Sequence, residues 1–183
     1  MHEFSEKLWR ERALARFKRS CRRESKKSRA EAEEQWTKEA SAIEAMAEVV
    51  KWCESKGIKV QFGKKSGGLY DSQLKTITIT SHSGPEKQLY MLLHECGHHL
   101  IGFTEHDERF GKGYPFADDP EVNTSFQHKI ACLEEEIEAW HRAWRLSKRL
   151  RLQLDRSAFD EVRLECLRSY IKWVNCRRSM SAF

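Results

Sequence analysis

Apolar positions recur along the chain first with a helical period, then with a period of two, then with a helical period again. Between residues 3 and 29, Trp9, Ala13, Phe17 and Cys21 fall at every fourth position, a thin stripe that predicts a helix. Residues 31–56 carry a fuller face of Trp36, Ala40, Ile43, Ala47 and Val50, with Gly57 as the stop. Ile58-Lys59-Val60-Gln61-Phe62 then alternates as a half-buried strand does, and so does Thr76-Ile77-Thr78-Ile79-Thr80. Ser66-Gly67-Gly68 marks a turn, and Leu69-Tyr70-Asp71 reads as a short strand between the two runs. Connections this short predict antiparallel pairing.

Helical spacing returns after Ser83-Gly84-Pro85, where proline fits a first turn whose N–H has no partner anyway. This helix carries Leu89, Leu92 and Leu93 and stops near Gly102. Residues 103–127, broken by Gly111, Gly113, Pro115 and Pro120, show no period. A connection of about 25 residues without structure of its own is usually a functional loop. A long helix is predicted at about 128–151, and a last one over 157–177. The last places Phe159, Val162, Cys166, Tyr170 and Trp173 in near-heptad order, with Ser157 and Asp160 spaced as a cap. The expected fold is therefore α+β: a small antiparallel sheet packed on the helix that ends near Gly102, with long helices around it. The expected organisation is a basic helical arm over residues 1–30 and one domain over 31–183, with its core at 57–150.

Composition supports a packed globule, since 39% of the 183 residues are hydrophobic, six of them Trp and nine Phe. No apolar run nears the roughly 20 residues that span a bilayer, and the first residues lack the apolar stretch of a secretory signal. The six cysteines are widely spaced without a CxxC pair, which favours reduced thiols in a cytoplasmic protein with no membrane partner. Charge is uneven. Residues 7–29 hold eleven Lys or Arg against Glu11 and Glu24, whereas the whole chain is only +5. Arg16, Lys18, Arg19, Arg22, Arg23, Lys26 and Lys27 could track the phosphates of a nucleic acid through counterion release, or could simply line a solvated helix face.

The chemistry concentrates in His94-Glu95-Cys96-Gly97-His98. On a helix, residues four apart share a face, so both imidazoles can reach one zinc ion at about 2.0–2.1 Å. Glu95 is offset by about 100° and can take a proton from a metal-bound water and pass it to a leaving amine. Gly97 leaves room beside the site for substrate or backbone. The third ligand is open at this point. A metzincin pattern would need Gly at 101 and His at 104, where this chain has Ile101 and Thr104. Glu136 lies in the apolar sector of its helix with Leu133, about 40° from Trp140 and 20° from Ala143. A lone carboxylate there is costly unless paired or on a metal. His106, in Thr104-Glu105-His106-Asp107-Glu108, is the other candidate, and would give a three-histidine site. A ligand on a helix is held more precisely than one on a loop, which favours Glu136.

Residues 57–150 resemble the ImmA/IrrE-like metallopeptidases, a gluzincin-type group. The resemblance rests on the strands Ile58–Phe62 and Thr76–Thr80, on Leu92-Leu93-His94-Glu95-Cys96-Gly97-His98, and on Glu136-Ile137-Glu138-Ala139 in a later helix. It implies zinc held by His94, His98 and Glu136, Glu95 as general base, and a protein or peptide substrate. The chain departs from the family in Trp140, in the long 103–127 segment and in the basic arm. His106-Asp107-Glu108-Arg109-Phe110 is in turn similar to SprT/WLM-type proteases, in which a third histidine precedes a phenylalanine by four positions. That similarity implies a DNA-associated protease with His106 as third ligand. A catalytically silent zinc scaffold that binds nucleic acid would use the same metal ligands.

Overall fold

A computed structural model describes residues 2–3, 7, 10–11, 14–15, 26–64, 67–102, 109–110 and 125–176. The chain divides into two compact units, Met1–Leu92 and Leu93–Phe183. The described elements are β1 (His2–Glu3), α1 (Lys26–Ser55), β2 (Lys59–Gly63), β3 (Gly68–Asp71), β4 (Thr76–Thr80), α2 (Pro85–Ile101), α3 (Phe126–Arg149) and α4 (Arg156–Asn175). The α+β class follows from these elements.

In the first unit, α1 buries Ile43, Met46, Ala47, Val50 and Cys53, the i, i+3, i+4 spacing of one helix face. Its end is a Schellman closure: Ile58 N–H reaches Cys53 O and Gly57 N–H reaches Glu54 O, both at 2.9 Å. Gly57 supplies the left-handed backbone this needs, with φ +70°. The helix starts at Lys26 rather than near residue 31, because Ser28, Arg29 and Ala30 do not interrupt its backbone hydrogen bonding. His2 and Glu3 pair as a strand, so the helix predicted over 3–29 does not begin at Glu3, while residues 7, 10–11 and 14–15 are helical.

The four strands lie in the order β1-β2-β4-β3. The sheet is mixed, which corrects the all-antiparallel expectation. β2 and β4 run parallel, with Val60 opposite Ile77 and Phe62 opposite Ile79. The reason is that β3 sits at the edge and pairs antiparallel with β4, so β2 and β4 are joined through β3 and not by a tight hairpin. A crossover of about a dozen residues is what a parallel pair requires. Val60, Phe62, Ile77 and Ile79 are buried on one face, and Gln61 Nε2 donates to Thr78 Oγ1 at 3.0 Å on the other. Asp71 Oδ1 accepts Leu74 N–H at 2.8 Å in the β3–β4 turn. α2 then starts at Pro85, and Gln88 Nε2, fully buried, donates to Thr80 O at 2.7 Å.

In the second unit, α3 begins at Phe126, where Ser125 Oγ accepts His128 N–H at 3.1 Å. It ends in another Schellman closure, Leu152 N–H to Ser147 O at 3.0 Å and Arg151 N–H to Lys148 O at 3.1 Å. Here Arg151 takes the left-handed position at φ +55°. α4 is capped by Asp155, which accepts from Ser157 N–H and Ala158 N–H, so Ser157 lies inside the first turn and is not the cap. The physical reason is that Asp155 precedes the turn and its carboxylate reaches two orphan donors at once. Phe159 of α4 meets Trp140 edge-on at 5.3 Å and Trp144 at 5.1 Å, and Lys148 and Arg156 lie over the Trp144 ring. These contacts fix α4 on α3.

Candidate metal centre

The approach of α2 to α3 is set by Gly97. A Cβ built there would lie 2.1 Å from Ala139 O and 2.8 Å from Ala139 C, so only glycine lets the two backbones come this close. The room that Gly97 leaves is thus filled by the backbone of α3. Arg142 strengthens the crossing, donating from Nη1 to Leu100 O near the end of α2 and from Nε to Glu138 Oε1 at 2.8 Å.

This crossing brings His94, His98 and Glu136 together. His94 Nε2 is 3.1 Å from Glu136 Oε2, His98 Nε2 is 3.4 Å from Glu136 Oε1, and the two Nε2 atoms are 3.2 Å apart. Bonds of about 2.0–2.1 Å to a tetrahedral ion put neighbouring ligand atoms about 3.3–3.4 Å apart. One Glu136 oxygen faces each histidine at about that separation, and the three residues lie close enough together, with suitable donor atoms, to hold a small divalent cation. The apolar sector of α3 points Glu136 inward, as the helical spacing of Leu133, Trp140 and Ala143 predicts.

Each donor is held from behind. His98 Nδ1 lies 3.1 Å from Glu135 Oε1, which turns Nε2 toward Glu136. His94 stacks on Trp140, ring centroids 4.4 Å apart at 22°, while its buried Nδ1 has no hydrogen-bond partner among the described residues. Tyr170 of α4 donates its hydroxyl to Glu136 Oε1 at 2.9 Å. Burial opposes charge on His98, but the carboxylates of Glu135 and Glu136 outweigh it and hold the imidazole well above its usual range. Burial likewise works against the Glu136 carboxylate, and bonds to His94 and His98 hold it far below the usual range. Burial first, and Glu136 second, push the Tyr170 phenol far up. Glu95 is buried beside His94, and its charge reaches both His98 and Tyr170.

Glu135, Trp140 and Tyr170 do not figure among the candidates read from the sequence. Tyr170 carried a signal: it is the only hydroxyl-bearing ring on the apolar face of its helix, and such a hydroxyl needs a partner. Glu135 carried none, since its partner lies 37 positions away. His99 is half-buried on α2. His106, Arg16, Lys18, Arg19, Arg22 and Arg23 lie outside the described residues, and of Lys26 and Lys27 only the helical backbone is described. Among the described residues no helix is long and apolar enough to cross a membrane. Comparison of the chain with protein-family models, with curated proteins and with solved structures finds no match.

Proposed function

We propose that this chain is a zinc-dependent peptidase acting on a protein or peptide substrate. The observation that carries the reading is the close grouping of His94, His98 and Glu136 donor atoms with the buried Glu95 next to the first of them. Bound zinc would supply a Lewis acid and lower the pKa of a coordinated water. His94 and His98 would bind through Nε2, oriented by the Trp140 face and the Glu135 carboxylate. Glu136 would contribute the anionic ligand. Glu95 would take the proton from the attacking water and deliver it to the departing amine. Arg142, tied to Leu100 O and Glu138, keeps α2 and α3 in register while this happens. The setting we infer is the cytoplasm, from the spacing of the cysteines. The basic segment is proposed to contact nucleic acid, which would bring the peptidase to substrates near DNA or RNA.

Purified protein should carry about one zinc per chain, and His94→Ala, His98→Ala and Glu136→Ala should each lose it. Glu95→Gln should keep the metal and abolish hydrolysis of an unfolded protein substrate, because an amide cannot accept the proton. Stable chain without stoichiometric metal, or a Glu95→Gln variant at full rate, would overturn the proposal. Zinc kept by Glu136→Ala and lost by His106→Ala would move the third ligand to the loop.

A further inference from the structure

Glu136 has two carboxylate oxygens, and they meet different surroundings. Oε2 is 3.1 Å from His94 Nε2. Oε1 lies 3.4 Å from His98 Nε2 and also receives the Tyr170 hydroxyl at 2.9 Å, so it is the oxygen that carries a second claim. Tyr170 is half-buried and comes from α4, which is anchored on α3 by Phe159 and by the buried Trp173, with the Lys129 ammonium 5.7 Å over the Trp173 ring. The hydroxyl is therefore delivered by a packed helix and not by a loop.

A carboxylate facing a divalent cation can bind through one oxygen or through both. Binding through both would take the position that a hydrolytic site keeps open for water. A hydrogen bond to one oxygen draws down its electron density and fixes the rotation of the group. We propose that Tyr170 is a positioning residue of this centre: its hydroxyl holds Glu136 Oε1 so that the carboxylate offers the ion Oε2 alone, and a coordination position stays open. The inference rests on the metal reading given above. It assigns a task to the C-terminal helix, which lies outside residues 57–150, where the resemblance to known peptidases ends.

The test uses the full chain loaded with cobalt(II) in place of zinc, whose visible absorption is strong in four-coordinate sites and weak in five- or six-coordinate ones. Tyr170→Phe keeps the ring and removes only the hydroxyl, so its circular dichroism should match the parent. Its cobalt absorption should weaken as Glu136 turns to bind through both oxygens, with about tenfold lower affinity, as for other groups that orient a ligand from behind. Tyr170→Leu, which removes the ring as well, should give the same weakened spectrum. A Tyr170→Phe spectrum that superimposes on the parent overturns the inference, and so does weakening in Tyr170→Leu alone, which would assign the effect to ring packing. Parent protein that takes up no cobalt sinks the metal reading itself, a different failure from parent and Tyr170→Phe binding it alike.

Discussion

The two units of the chain bury very different things. In Met1–Leu92, the buried polar side chains among the described residues are Thr80 and Gln88, both uncharged, and the Gln88 amide nitrogen is answered by a backbone carbonyl. In Leu93–Phe183, His94, Glu95, His128 and Lys129 are buried, and Glu136 is nearly so. Alternating Val60, Phe62, Ile77 and Ile79 are enough to hold a sheet. Imidazoles and carboxylates in a helix crossing are costly to desolvate, and stability alone would replace them with leucine. The first unit buries what a stable sheet needs, and the second also buries the groups that a metal centre would need.

Substitutions can break this contrast. Ile79→Ala, at a fully buried position of the central strand β4, should cost about 2–5 kcal/mol in chemical denaturation while the folded protein still binds zinc one to one. Zinc lost along with that stability would show that the two units are not separable in this way. Gly97→Ala should cost on the order of 1–3 kcal/mol, since backbone and not a flexible side chain stands in the way. It should also release the metal, because the helices part at the level of His94 and His98. A Gly97→Ala variant with full zinc content would mean that the crossing adjusts without moving the ligands.

Finer changes sharpen the comparison. Glu135→Gln keeps an acceptor for His98 Nδ1 but removes its charge, and should weaken zinc about tenfold in a competition titration. The two Schellman ends differ in one residue. Gly57→Ala should cost about 1 kcal/mol through backbone strain alone, as nothing lies within 4 Å of the added Cβ. Arg151→Gly should gain about 0.5 kcal/mol, the relief of a left-handed arginine less the entropy of glycine. Neither should alter metal content, and thermal melts with and without chelator would detect an exception.

The elements that sequence made legible are those in which one residue type decides the outcome. Gly57 and Pro85 mark a helix end and a helix start because backbone geometry leaves few alternatives. Glu136 was legible because a carboxylate among Leu133, Trp140 and Ala143 must have a reason. What escaped is non-local. The parallel β2–β4 pair depends on which edge of β4 is left after β3 has folded back, and alternation is identical in either direction. The use of Gly97 as the contact point for Ala139 depends on the path of a helix 42 residues later in the chain, so the glycine could be noted but its neighbour could not be named.

The two imidazoles of the crossing have unlike backing, and this has a consequence for how an ion would leave. Behind His98 stands a carboxylate 3.1 Å from Nδ1, which pushes electron density through the ring toward Nε2 and makes it the stronger donor. Behind His94 lies the face of an indole, and among the described residues it is stacking, not a hydrogen bond to Nδ1, that holds the ring. A stacked ring can turn in its own plane where a hydrogen-bonded one cannot, so His94 is the ligand expected to let go first under attack by a chelator. Dissociation would then run in a fixed order, like a latch that opens on one side while the hinge on the other still holds.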